Sequence, residues 1–153
     1  MRGRVRILAV AACLAGSASG PMGGAALTES VKPTGSRLVI YRVSALGFAI
    51  QPNYSVDRRV VGGSQPGGFV TCDLLPGRHE VAVYNLPLST NLFGCGSEKV
   101  SVELRAGGTT YLSAEPQMGI MTPGQITLTE VTDNQGRTDV ANLHQASGAC
   151  GKG

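Results

Sequence analysis

The sequence carries few charges and no heptad pattern. Asp, Glu, Lys and Arg make up 15% of the 153 residues, against about 25% in an average soluble protein. The hydrophobic fraction of 42% is too high for intrinsic disorder, which goes with low hydrophobicity and high net charge. The absence of charged heptads excludes a coiled coil. We therefore expect a folded core, and the length suits one domain.

Long apolar runs are also missing. The run at residues 7–15 is nine residues long, whereas a membrane-spanning helix needs about 20. It lies between the basic segment 1–6 and the small residues 16–20, and these are the three parts of an export signal. The sequence therefore predicts an export signal over 1–20, followed by a linker rich in Gly and Ala over 21–35.

The positive charge of the chain comes from this signal. The formal charge is +3, and Arg2, Arg4 and Arg6 belong to the predicted signal. Without them, basic and acidic residues are equal in number. A near-neutral domain has no strongly basic face, so we expect no nucleic-acid partner.

Two processing routes fit the export signal. Val10–Cys13 has the pattern of a bacterial lipobox, in which an aliphatic residue and two small residues precede a Cys that becomes lipidated. In this route the membrane is contacted only through the lipid on Cys13. Leu14 is an unusual residue after a lipidated Cys, so cleavage near 18–20 or at Ala26 is the alternative. Either route predicts an exported bacterial protein, in the periplasm or anchored to the envelope.

From residue 36 onward, short β-type segments alternate with Gly and Pro turns. This spacing, without a long amphipathic helix, predicts an all-β fold: an antiparallel sandwich of about seven strands, immunoglobulin-like or prealbumin-like. The domain is expected to span 36–145, with a flexible tail over 146–153. A turn is predicted at 133–136 and a short helix over 138–145. The predicted strands are 37–44, 54–61, 68–75, 78–84, 99–104, 109–114 and 125–132.

The clearest turn signal is Pro76-Gly77. Proline presets φ for the second turn position, and glycine supplies the positive φ of the third. We therefore predict that strand 78–84 returns as the antiparallel partner of strand 68–75. His79 then lies on the inner face of the returning strand.

Several segments of the domain match one bacterial family. They are Arg37–Arg42, Val56-Asp57, Val61-Gly62, Gly68-Phe69, Pro76–Val81 and Ala106–Tyr111. Through them the chain resembles the exported family called domain of unknown function 2846, whose members often look like lipoproteins. The resemblance implies an exported β-sandwich and no known activity. Cys95 and Cys150 are not part of the family pattern, so the disulfide expectation below rests on chemistry alone.

Catalytic motifs are absent from the sequence. There is no His-Glu-x-x-His, no Cys-x-x-Cys and no Gly-x-Ser-x-Gly. The two histidines, His79 and His144, are not beside a recognisable nucleophile. We therefore expect a protein that is not an enzyme and that carries no cofactor.

His79 has one alternative role, in a metal site with Cys72 on the neighbouring strand. Zinc takes three or four protein ligands, and the sequence offers only these two. We favour a histidine that packs under the turn and bonds to the backbone, and we expect no metal.

The cysteines predict one disulfide. Once Cys13 has left with the signal or taken lipid, Cys72, Cys95 and Cys150 are an odd set in an oxidising compartment. We favour a Cys72–Cys95 bridge, because the loop after strand 78–84 can bring Cys95 near Cys72. Three pairings of these cysteines exist. The main rival is a Cys95–Cys150 bridge, and a further outcome leaves Cys72 as a buried thiol.

These observations favour a non-enzymatic module of the cell envelope. It would contact another envelope protein, of unknown identity, through strand edges or loops. The alternative is a periplasmic protein that binds a small molecule or a metal with the loops at 45–53 and 85–96.

Overall fold

The structure is a computed structural model that describes residues 34–46, 51–84, 98–117, 125–146 and Cys150. Within these residues, nine strands form two packed sheets, and one helix lies outside them. The elements are β1 (Ser36–Arg42), β2 (Asn53–Val56), β3 (Arg59–Gly63), β4 (Gly68–Leu74), β5 (Gly77–Tyr84), β6 (Glu98–Leu104), β7 (Thr109–Gln117), β8 (Gln125–Val131), α1 (Asp133–Val140) and β9 (His144–Gln145).

The two sheets differ in strand direction. One has the order β8-β7-β1-β4-β9, and the other has the order β3-β2-β5-β6 and is antiparallel throughout. In the five-stranded sheet β1 runs parallel to β7, and β4 runs parallel to β9. The mainly β, sandwich-like expectation is confirmed, but the antiparallel assignment is wrong for this sheet. β7 enters this sheet from the other sheet at the end where β1 begins, so the two strands run in the same direction.

The predicted strand 54–61 is a hairpin. β2 and β3 are joined by Asp57 and Arg58, whose φ angles are 48° and 67°. Two successive residues with positive φ make the type I′ turn, which normally takes Asn-Gly or Asp-Gly. Because Arg stands where Gly is usual, the sequence gives no hairpin signal at this point.

The Pro76-Gly77 turn does not join paired strands. β4 pairs with β1 and β9, whereas β5 pairs with β2 and β6. The predicted pairing of these two strands is therefore wrong, and the turn is a corner at which the chain changes sheets. Gly77 has a φ of 132°, in the positive range that the turn signal predicts. The chain crosses back at Gly107, whose φ is 69°.

The core has two layers because the five-stranded sheet is covered on both faces. Between the sheets, β1 and β4 contribute Leu38, Ile40, Val70 and Cys72 to a buried cluster. On the outer face, a second cluster is covered by side chains from α1 and the segment after it; its members are Val39, Tyr41, Phe69, Tyr111, Val140 and Leu143. All seven residues of β1 are buried. A strand covered on both faces reads as a nearly continuous apolar run, as β1 does.

The helix lies earlier than predicted. α1 spans Asp133–Val140, so the predicted short C-terminal helix is confirmed, but its bounds of 138–145 and the turn expected at 133–136 are wrong. Thr132 is the N-cap, and its side chain accepts a hydrogen bond from a backbone N–H of the first turn. Asp133 and Arg137 form an i,i+4 ion pair at 2.8 Å. Among the described residues, no helix is long and apolar enough to cross a membrane.

Gly136 explains the misplaced turn. A Cβ at this position would overlap the ring of Tyr111 in β7. The glycine that the sequence presents as a turn signal instead lets α1 approach the sheet closely.

A disulfide joins Cys72 to Cys150, with 4.9 Å between their Cα atoms. The predicted Cys72–Cys95 bridge is therefore wrong, as are the Cys95–Cys150 bridge and the buried thiol, and Cys95 lies outside the described residues. Because β9 runs parallel to β4, it directs the chain along the edge of that strand. Ala146 is buried, its N–H donates to the Phe69 carbonyl at 2.8 Å, and Cys150 reaches Cys72 further along. Two residues of the segment expected to be a flexible tail are thus held against the sandwich.

The strands run between two ends that differ in their connections. At the turn end lie the Asp57-Arg58 turn, the Pro76-Gly77 corner and the crossing at Gly107, and β1 begins there. At the loop end, the strands lead into the three connections 43–52, 85–97 and 118–124. We use these two names below.

Candidate functional site

His79 occupies the centre of a polar group at the turn end. Its Nδ1 lies 2.7 Å from Asp57 Oδ2, and its Nε2 lies 2.9 Å from the carbonyl oxygen of Leu75. A carboxylate and a carbonyl both accept hydrogen bonds, and only the protonated ring donates from both nitrogens. The surroundings therefore favour the imidazolium form of His79. The contact with Leu75 is the backbone bond that the sequence analysis favoured.

Asp57 also fixes the turn of the hairpin to β5. Its N–H donates to the Glu80 carbonyl at 2.8 Å, and its Oδ1 accepts from the Glu80 N–H at 3.0 Å. Positive φ at non-glycine residues costs free energy and persists where the surroundings hold it. The two hydrogen bonds between Asp57 and Glu80 stabilise this conformation of Asp57 and Arg58.

The pKa values of the pair move in opposite directions. Burial lowers the pKa of His79, but the hydrogen bonds to Asp57 and to the Leu75 carbonyl, with the Asp57 charge, raise it above its ordinary value. Burial raises the pKa of Asp57, whereas the hydrogen bonds from His79 and from the Glu80 N–H bring it below its ordinary value. Each partner thus favours the charged form of the other.

Exposed groups surround this pair. The Leu75 side chain is 77% exposed at the corner between β4 and β5. Four arginines lie on the neighbouring turns and strand ends, and all four are exposed: Arg58, Arg59, Arg78 and Arg105.

A second polar group is buried at the loop end. Arg42, the last residue of β1, has no exposed surface. Its Nη1 lies 3.3 Å from the Ser64 carbonyl oxygen and 3.4 Å from Ser64 Oγ. Its Nη2 donates to the carbonyl oxygen of Leu46. One guanidinium therefore ties the segment after β1 to the segment after β3.

Tyr54 lies beside this arginine. Burial raises the pKa of its hydroxyl to about 12, although hydrogen bonding to Ser64 and the charge of Arg42 act in the opposite direction. Arg42 remains a cation in proteins, and Tyr54 is a neutral phenol at physiological pH. The loop end therefore holds one buried positive charge with hydroxyl groups around it.

The geometry of the two groups limits their chemistry. To act as a general base, His79 would need a free ring nitrogen within reach of the proton that it abstracts. Both of its ring nitrogens already face hydrogen-bond acceptors. Its arrangement with Asp57 and Leu75 is suited to fixing the turn end. The alternative role of His79, a metal pair with Cys72, does not form, because Cys72 lies in the other sheet and is oxidised. Among the described residues, no group of three or more His, Cys, Asp or Glu is placed to hold a metal ion.

The structure brings together Pro76, Gly77 and His79 at the turn end and leaves Cys13 outside the described residues. Sequence reasoning missed Arg42 and Asp57. A signal existed for Arg42, since an arginine that directly follows the apolar run Leu38–Tyr41 is a candidate for burial with partners.

Comparisons of the chain with protein-family models, with curated proteins and with solved structures give no match. The assignment of a function therefore depends on the geometry of the two ends and on the disulfide.

Proposed function

We propose that the chain is an exported component of the bacterial cell envelope that acts by binding another envelope protein rather than by catalysis. The disulfide carries the proposal. Cys72 is fully buried, and its bridge to Cys150 closes a sequence separation of 78. Disulfides form and persist in oxidising compartments such as the periplasm. A bridge in the core therefore supports export, as does the predicted signal at 1–20.

The loop end is the better candidate for the partner contact. None of the residues in 43–52, 85–97 or 118–124 is Asp, Glu, Lys or Arg. Three large hydrophobic side chains among the described residues are exposed at this end, and they are Val43, Leu46 and Tyr84. Exposed apolar groups in one region are typical of protein-binding surfaces. The partner surface would accordingly be apolar.

The second candidate is a periplasmic protein that binds a small molecule with the loops at 45–53 and 85–96. The observation that favours it is the buried cation of Arg42, beside Tyr54 and beneath the start of the first loop. A guanidinium attracts a small anion and repels a metal ion. This candidate therefore predicts an anionic ligand.

The family resemblance belongs to the same proposal. Its implied features are an exported domain and a β-sandwich. The two packed sheets support the second feature, whereas Cys150 lies outside the family pattern.

Export is tested by mass spectrometry of the protein purified from its native envelope. The expected species lacks the first 12 to 26 residues, and a purified species that retains Arg2–Arg6 would contradict export. The lipoprotein route makes a further claim about Cys13. In that route Cys13→Ser abolishes acyl labelling and releases the protein from the membrane fraction.

The mode of action is tested by crosslinking in intact cells. Leu46→Asp or Tyr84→Asp is expected to remove a crosslinked partner, because the charge enters an apolar contact. Val60→Asp, at an exposed apolar residue of β3, is the matched control and should leave that crosslink in place. Equal losses in all three variants would argue against a partner site at the loop end.

A further inference from the structure

The chain enters the domain at the turn end. β1 begins at Ser36, and the residue before it is fixed there, since the Gly107 N–H donates to the Gly35 carbonyl at 2.6 Å. Twenty residues lie between Cys13 and Thr34, and a random-coil chain of about that length spans roughly 25 Å on average. An anchor on Cys13 would therefore hold the turn end, and not the loop end, close to the membrane.

The acidic residues at the turn end have basic partners. Arg37 and Asp73 lie 2.7 Å apart, His79 holds Asp57 at 2.7 Å, and Lys99 holds Glu80 at 3.1 Å. Because these carboxylates are paired, they do not offset the remaining cations of this end.

Several arginines at the turn end lack such partners. Arg78 lies 3.8 Å from Glu103, at the limit of an ion pair. No ion pair joins Arg58, Arg59 or Arg105 to another residue of the described ranges. The exposed surface of this end is consequently positive.

An apolar side chain projects among these cations. His79 bonds to the Leu75 carbonyl with one nitrogen and to Asp57 with the other. Leu75 and the turn that carries Arg58 are thus held side by side. Gly77 pairs with Leu104 in the β5–β6 ladder, which places Arg105 next to the same corner. An exposed leucine surrounded by arginines is the pattern of a peripheral membrane contact.

We propose that the turn end docks on the anionic phospholipid surface of a membrane. Leu75 enters the headgroup region, while Arg58, Arg78 and Arg105 contact phosphate groups. The loop end then faces away from the membrane, toward the envelope partner. This inference rests on the proposed export, which brings the domain to such a surface.

The test is co-sedimentation of the full chain with vesicles. One set contains phosphatidylcholine alone, and the other contains phosphatidylcholine mixed with phosphatidylglycerol. Every variant keeps the same N-terminal segment, so the contribution of that segment is common to all of them. The unaltered protein is expected to bind the mixed vesicles more tightly, and salt should weaken this binding.

The decisive comparison uses two variants with the same loss of charge. Arg58→Gln removes one cation from the turn end. Arg137→Gln removes one cation from α1. A cation near an anionic surface contributes a factor of about 5 to binding, so the first variant should bind roughly 5-fold more weakly. The second variant should stay within about 2-fold of the unaltered protein, and thermal unfolding checks that both are folded.

Leu75→Ser tests the apolar contact and should also weaken binding. Equal losses in the two charge variants, or equal binding to both vesicle types, would overturn the proposal, because neither outcome requires docking by the turn end. The same holds if the unaltered chain does not sediment with either vesicle. Removal of the signal is measured in a separate experiment. A protein that has lost its signal but does not bind vesicles would therefore disprove docking without contradicting export.

Discussion

The two ends of the sandwich handle charge in opposite ways. At the turn end, the connections are short and fixed by backbone bonds, and the arginines point to solvent. At the loop end, the three connections contain no charged residue, and Arg42 at the end of β1 is buried. A buried cation must be compensated by acceptors, and Arg42 finds them in the carbonyls of Leu46 and Ser64. The same residue type therefore lies in solvent at one end and holds two backbone segments together inside the other.

The largest expected effect concerns the disulfide, which joins Cys150 to Cys72 in β4. Cys150→Ser should lower the free energy of unfolding by about 4 kcal/mol, since a bridge across 78 residues removes much entropy from the unfolded chain. Denaturant unfolding measures this change. Cys95→Ser is the control, because it leaves the bridge intact. A similar loss in the control would show that Cys95 takes part in the bridge.

A smaller effect is expected from Arg42→Met, which removes the buried charge of the loop end. Hydrogen bonds to a charged group contribute about 1.5–3 kcal/mol, so we expect a loss of roughly 3 kcal/mol in thermal unfolding. Arg58→Gln at the turn end should change stability by less than about 0.5 kcal/mol, as an exposed substitution. Equal losses of stability in the two variants would contradict the difference between the buried Arg42 and the exposed Arg58.

Gly77→Val tests the backbone of the turn end. Nothing lies within 4 Å of a Cβ at this position, and φ is 132°. The valine would therefore adopt a strained backbone conformation without clashing with a neighbour. The free energy of unfolding should fall by about 1–2 kcal/mol. Gly63, near the loop end, does not have a positive φ, and a Cβ there would make only an ordinary contact of 3.8 Å with Asn53 Oδ1, so Gly63→Ala should be close to neutral in the same melting experiment. An unchanged melting temperature for Gly77→Val would show that the turn does not require a positive φ at this position.

The smallest effect is the pH dependence of the His79–Asp57 pair. The pKa of His79 is raised in the folded state, so its contribution is complete below the ordinary value of 6.5 and is lost as pH rises through the raised value. The pKa of Asp57 is lowered, so its contribution is complete above 3.8 and is lost on acidification through the lowered value. The Asp57 side chain is 51% exposed, and solvent screening limits the effect to less than about 1 kcal/mol.

Melting temperatures between pH 6 and pH 9, compared for the unaltered protein and His79→Gln, measure this effect. The unaltered protein should lose more stability over this range, because only its ring gives up a proton. Parallel curves would show that His79 does not link the hairpin to the corner.

The positions of most strands were predictable from sequence, but their partners were not. Apolar alternation located strands such as β4 and β6, and the Gly77 signal correctly gave a positive φ. Pairing depends on which sheet a strand enters, and Pro76-Gly77 does not tell a hairpin from a corner between sheets. The Cys72–Cys95 bridge failed for the same reason, since it assumed that β4 and β5 were neighbours.

Local sequence patterns gave wrong predictions where tertiary contacts determine the structure. The Asp57-Arg58 hairpin has no glycine because Asp57 bonds to β5 instead. Gly136 indicated a turn, but it is a contact point of α1 with Tyr111. The burial of Arg42 follows from acceptors that approach only in the assembled sandwich.

The central place of β1 determines when the domain can fold. Its two neighbours, β4 and β7, begin about 30 and 70 residues later in the chain. Because contacts between distant residues form slowly, β1 has only β4 as a possible partner until β7 is available. Under the proposed export, the five-stranded sheet could not close around β1 before β7 had crossed the membrane. The bridge to Cys150 could form only afterwards, because Cys150 follows every strand in the sequence.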